Sequence, residues 1–235
     1  MSFADHLLFV IVVLVHPVAG YLSFRRLLRQ VAAGRVVDRL VLYSGTAAGQ
    51  WLLGAVALTV WAASGRPWSG LGLAPGTGGG FLAAAGLTLA ALVLLGWQLR
   101  EALLADADAL ASARGRLGNI EILIPRNRRE LARFYGLSLT AGVVEELLWR
   151  GFVIWYLAQL MPLWSAALIS IAGFGLAHAY QGLGNLPRII PVGALFTILY
   201  LLSGTLWLSM LLHAAVDILQ GRVGYIVLRR AAEQE

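Results

Sequence analysis

The sequence predicts an all-α protein, a polytopic transmembrane helical bundle with about seven spans. Three observations predict it. Of the 235 residues, 59% are hydrophobic and only 13% charged, with a mean hydropathy of +0.77. A water-soluble chain of this length must cover its exterior with polar groups and cannot hide that much apolar surface. The apolar residues also come in stretches of about 20, each long enough as a helix to cross about 30 Å of hydrocarbon. Finally, the alternating segments of about ten residues that a membrane barrel needs are absent.

Breaker residues divide the chain into helices at about 6–24, 40–63, 80–100, 134–157, 164–182, 189–203 and 205–221. Turn signals lie between them: Ser64-Gly65-Arg66-Pro67, the cluster Gly76 to Gly80, Met161-Pro162, and Gly182 to Pro187. The glycine cluster lacks the Gly-Lys-Ser/Thr of a phosphate loop and reads as a flexible turn. Met1 to His6 carries no basic n-region, so the first apolar segment is expected to be a retained helix. His16 precedes Pro17 in that helix and reads as a packing or kink-site residue, and His6 as interfacial. One structural domain is expected, with residues 1–119 holding the first three helices and a polar loop, 120–221 a helical core, and 222–235 a tail.

There is no cysteine, which excludes disulfides, thiolate nucleophiles and Cys-based metal sites. All 18 basic residues are arginine and the net charge is +6. In a soluble chain this would suggest nucleic acid. Here the arginines sit in connections between apolar spans, where topology and anionic headgroups account for them, so the expected partner is the lipid bilayer. Sixteen fall on one side of the predicted spans, Arg66 on the other, and Arg150 within a span. The positive-inside rule then places the N-terminus outside and the C-terminus in the cytoplasm, in a membrane expected to be a bacterial cytoplasmic one. Within the long polar connection 101–133, the stretch Ile120 to Pro125 with the arginines after it reads as interfacial. No internal repeat supports an inverted-repeat transporter.

Six ionisable residues fall inside predicted spans of the second half: Glu145, Glu146, Arg150, His178, His213 and Asp217. A central Asp or Arg costs about 2.5–3.5 kcal/mol on insertion scales, so each should face protein or a water-filled cavity and marks a functional site by default. Glu146 and Arg150 stand at i and i+4, acid before base, and can pair along one face. Glu145 points about 100° away from Glu146. His213 and Asp217 are also i and i+4. Phe174 and His178 share a face, with Gly173 and Gly175 allowing close helix approach. Counting about 1.5 Å per residue, Glu145, His178 and His213 fall within a middle band about 9 Å deep. Taken singly, each group also fits a structural role: an ion pair, an interhelical hydrogen bond, a buried His–Asp pair. Three such groups on three helices at one depth fit that account poorly.

At these residues the chain resembles the CPBP family, the CAAX proteases and bacteriocin-processing enzymes. The Glu-Glu-x-x-x-Arg motif reads Glu145-Glu146-Leu-Leu-Trp-Arg150, followed by Gly151. Phe-x-x-x-His reads Phe174-Gly-Leu-Ala-His178, and His-x-x-x-Asn/Asp reads His213-Ala-Ala-Val-Asp217. Pro125 and Glu130 fit the approach to the first motif. The resemblance covers about residues 120–221 and makes that region the expected catalytic core.

The resemblance implies an intramembrane endopeptidase that hydrolyses a peptide bond of a membrane-associated or lipid-modified protein or peptide. It implies that Glu145 activates water with His178 as its partner, and that His213 and residue 217 stabilise the oxyanion. Glu146, Arg150 and Phe174 support the site. Many relatives carry Asn where this chain has Asp217. A carboxylate there can donate only if protonated; otherwise it accepts from a nitrogen of His213 and orients the ring, the role favoured here. Glu145, His178 and His213 could also form a zinc set with an open position. The His-x-x-x-His pair of zinc peptidases is missing, and a metal-free site uses each residue once, so no cofactor is the favoured expectation and zinc the alternative. Two other classes use the same charges: a transporter or proton-coupled channel, and a non-catalytic immunity or scaffold protein.

Overall fold

A computed structural model describes residues 1–232, and every regular element among them is helical. In chain order these are α1 (Phe3–Ala32), α2 (Arg39–Ala63), α3 (Gly78–Leu104) and the short α4 (Ala107–Gly115). Then α5 (Arg128–Glu146) runs on through a π turn at Leu147–Val153 into Ile154–Ala158. It is followed by α6 (Leu163–Ala177), α7 (Leu186–Ser203) and α8 (Trp207–Ala232). The helices start where the sequence supplies caps. Ser2 and Asp5 form a reciprocal capping box, Asp38 accepts from the Val41 amide, and Asn127 accepts from the Glu130 amide.

Five segments are long and apolar enough to cross a membrane: α1, α2, α3, α8 and Leu183–Ser203, which contains α7. The other two differ for physical reasons. The α5 helix carries the motif charges, and α6 has only 15 residues, about 22 Å of helix against about 30 Å of hydrocarbon. The outer surface is apolar, with Leu52, Leu89, Val93, Trp97 and Leu168 all exposed. Gln50, Glu146, Arg150, Ser170, Thr197 and His213 are buried instead. This is the arrangement of a bundle whose solvent is lipid.

Contacts at the helix ends show that successive long helices run antiparallel. At one end Asp5 holds Arg66 through two hydrogen bonds of 2.8 and 2.5 Å, and His6 Nδ1 meets the Tyr156 hydroxyl at 2.6 Å. There too the Thr205 hydroxyl donates to the Ala74 carbonyl at 2.8 Å. At the other end the Tyr43 hydroxyl donates to the Leu123 carbonyl at 2.7 Å, Arg39 to Ile122 and Arg230 to Ala105. Arg66, set apart from the sixteen arginines by the sequence, is thus neutralised by the buried Asp5. It also stacks on Trp61 and Trp155, with ring centroids 5.2 and 4.3 Å away.

Three local expectations are refined. The kink expected near His16 is a π turn at Ile11–Val15, in which the His16 amide reaches back five residues to Ile11. The stretch 120–125 is pinned by Arg39 and Tyr43, and Ile124 is buried, so it packs into the bundle end as well as edging it. The fifth helix, expected to reach residue 182, stops at Ala177. The chain then makes two 3₁₀ turns around Gly182, whose φ of +104° suits only glycine.

The α5 helix is central, packed between α2 and α8. A side chain at Gly173 would come within 2.7 Å of the Trp149 ring, so that glycine lets α6 close onto the π turn of α5.

Candidate active site

The second half of α5 delivers two adjacent carboxylates in different directions. Glu146 is fully buried, and its Oε1 accepts from Arg150 Nη1 at 2.8 Å. The same oxygen meets His213 Nδ1, also at 2.8 Å, so one atom joins α5 to α8. Arg150 lies in the π turn, where the wider helix lets its guanidinium turn inward toward α7. Its Nη2 donates to the Gly193 carbonyl at 2.9 Å and its Nε to the Thr197 hydroxyl at 3.3 Å. The cation sits between Phe174 and Phe196, 4.3 and 5.4 Å from the ring centroids. Phe196 stacks on the other side against His213, with centroids 4.8 Å apart. A buried charge needs such a shell, because leaving one partner unpaired costs about 3–5 kcal/mol.

Glu145 lies at the edge of this assembly with 17% of its side chain exposed. Its Oε1 accepts from Gln50 Nε2 at 2.7 Å. Its Oε2 has no hydrogen-bond partner among the described residues and lies 3.7 Å from His178 Nε2. The sequence places that histidine within a helix; in the structure it caps the C-terminal end of α6. Its Nδ1 is 2.9 Å from the Phe174 carbonyl, which can only accept, so Nδ1 carries a proton and donates. With Nδ1 engaged in this way, Nε2 is the nitrogen that faces Glu145.

The geometry gives His213 its orienting carboxylate through Glu146. Asp217 Oδ2 lies 3.8 Å from His213 Nε2, beyond hydrogen-bond range, and its side chain is 37% exposed. This differs from the sequence expectation that Asp217 holds the ring. The spacing i and i+4 put both residues on one face of α8, but the nearer carboxylate comes from another helix.

All seven residues singled out by the sequence meet here. The structure adds Gln50, from α2, which the motifs did not contain. A lone amide within an apolar span was the available signal, since such a group needs a partner in the membrane. As for a metal, His213 turns its two nitrogens toward Glu146 and Asp217, and only the Glu145–His178 pair faces inward together. Among the described residues no three His, Cys, Asp or Glu side chains are arranged to hold a metal ion.

Residues 127–219 match the model of the Rce1-like family, described as type II CAAX prenyl endopeptidase Rce1-like. The match spans all three motifs and agrees with the resemblance read from them. No curated protein and no solved structure matches the chain.

Proposed function

We propose that this membrane chain, whose residues 127–219 match the model of the Rce1-like family of type II CAAX prenyl endopeptidases, is an intramembrane endopeptidase in which Glu145 activates the hydrolytic water. The observation that carries this reading is the Glu145 Oε2 atom, without a hydrogen-bond partner among the described residues and 3.7 Å from His178 Nε2. A water molecule between them donates one hydrogen to each, which leaves its oxygen lone pairs free to attack. Gln50 holds the other carboxylate oxygen, so Oε2 is the one that takes the proton.

The hydrolysis then balances with this chain's own groups. Glu145 takes a proton as the water oxygen bonds to the scissile carbonyl carbon. The carbonyl oxygen becomes an oxyanion and accepts from His213 Nε2–H, while His213 Nδ1–H donates to Glu146. Donation from both nitrogens requires the doubly protonated ring, and carboxylates face both of them. The carbon–nitrogen bond breaks, and the proton held on Glu145 passes to the leaving amine. Asp217 borders the open side of His213, where the substrate backbone passes.

The substrate is a membrane-associated or lipid-modified protein or peptide, cut near the arginine-rich face. His178 ends a helix of 15 residues, so the site is about 22 Å from the opposite face and close to the arginines. By the positive-inside rule that face is cytoplasmic and the N-terminus external. The test is a comparison of membrane proteomes from cells carrying wild type or Glu145→Gln. Uncleaved precursors should accumulate with the variant; identical peptide termini in the two samples would defeat the proposal.

A further inference from the structure

The arginine-rich end of the bundle carries a second feature, separate from the carboxylate site. Where α3, α5 and α8 end together, they enclose a cavity of about 560 Å³, within the size range of small-ligand sites, about 300–1,000 Å³. Leu103, Leu131 and Tyr225 form an apolar wall, Arg128, Arg222, Arg229 and Arg230 bring positive charge, and among the described residues none that lines it is acidic.

Three of these arginines are placed differently from one another. Arg230 donates one N–H to the Ala105 carbonyl at 3.2 Å, and a guanidinium has further donors beyond that one. Arg222 lies 5.9 Å from the Tyr225 ring centroid, which braces it over the apolar wall. Arg128 is the exposed first residue of α5. Arg230 sits at the end of the membrane-crossing segment of α8, Arg222 about two turns before it and Arg128 at the start of α5, near the level at which the bilayer's phosphates lie. An apolar wall directly beside them suits an acyl chain, which a nucleic acid or a free phosphate does not have.

From this charge complementarity we infer that the cavity binds an anionic diacyl phospholipid of the surrounding leaflet, its phosphate on Arg128, Arg222 and Arg230 and the start of its chains on Leu103, Leu131 and Tyr225. The site does not depend on the proposed peptidase activity. It fixes one lipid beside α5, the helix that carries the two motif carboxylates.

The test is native mass spectrometry of the full chain in detergent, titrated separately with dioleoyl phosphatidylglycerol, dioleoyl phosphatidylcholine and inorganic phosphate. One phosphatidylglycerol should be retained per chain, in preference to phosphatidylcholine. Arg222→Gln and Arg128→Gln should each lower its affinity roughly fivefold, the effect of one arginine near a lipid surface. Arg128 is exposed, so that variant should fold even if Arg222→Gln does not. Arg26→Gln, near the same end but outside the cavity, should change nothing. The inference is overturned if phosphatidylcholine binds equally well, if Arg26→Gln weakens binding as much as the cavity variants, or if inorganic phosphate displaces the lipid.

Discussion

Glu145 and Glu146 are neighbours in sequence and differ in almost everything the fold does with them. Glu146 is fully buried, and a single oxygen serves both the Arg150 guanidinium and His213. Its surroundings continue through Gly193, Thr197, Phe174 and Phe196, so four helices close on one ion pair. Glu145, whose side chain is partly exposed, has one oxygen on Gln50 and the other, itself buried, 3.7 Å from His178 Nε2. One turn of helix thus provides a carboxylate that assembles the bundle and, in the proposed mechanism, a carboxylate that acts on water. Burial alone does not separate these roles. What separates them is whether a matched cation, or only a movable proton, can answer the negative charge.

The contrast can be broken or sharpened by substitution. The largest expected effect is on Glu145→Gln, which keeps the side-chain volume and removes the base: cleavage should fall by about 10²–10⁴-fold. Its thermal unfolding in detergent should stay close to wild type. On the other carboxylate, Glu146→Gln or Arg150→Met strands a buried charge and should cost about 3–5 kcal/mol of stability. Loss of folded protein at the size-exclusion step would register it. Gln50→Leu should be intermediate. Losing a hydrogen bond to a charged group is worth about 1.5–3 kcal/mol, so turnover should fall about ten- to a hundredfold. In steady-state kinetics the loss should appear in kcat with KM little changed, because Gln50 meets Glu145 and not the substrate. Asp217→Asn should be mildest, under about tenfold, because Asp217 makes no hydrogen bond to His213 and an amide can donate to an oxyanion. Dialysis against a chelator, followed by elemental analysis, should leave cleavage intact; activity lost with stoichiometric zinc and restored by adding it back would make the histidines ligands.

How much of this was legible in the sequence follows from the kind of signal each feature leaves. The helical membrane bundle could be read because apolar length is a property of single segments, as in Arg39–Ala63 and Gly78–Leu104. The residues that meet at the site could be read because spacing fixes a helix face. Partners across helices could not. Nothing in the i, i+4 pair His213–Asp217 tells that a carboxylate from α5 comes closer to the ring than Asp217 does. Likewise the turn signal that begins at Gly182, where φ is +104°, does not tell that α6 already stops at Ala177, five residues before it. Gln50 carries no motif at all. Its meaning appears only when α2 packs against α5 and the amide finds Glu145.

The most direct measurement of the division of labour is single-turnover cleavage, normalised to folded protein, run in parallel on wild type, Glu145→Gln and Glu146→Gln. The account predicts that Glu145→Gln is fully folded and nearly inactive, whereas the surviving folded fraction of Glu146→Gln still cleaves at a measurable rate. Wild-type turnover by Glu145→Gln would contradict it and move the base elsewhere.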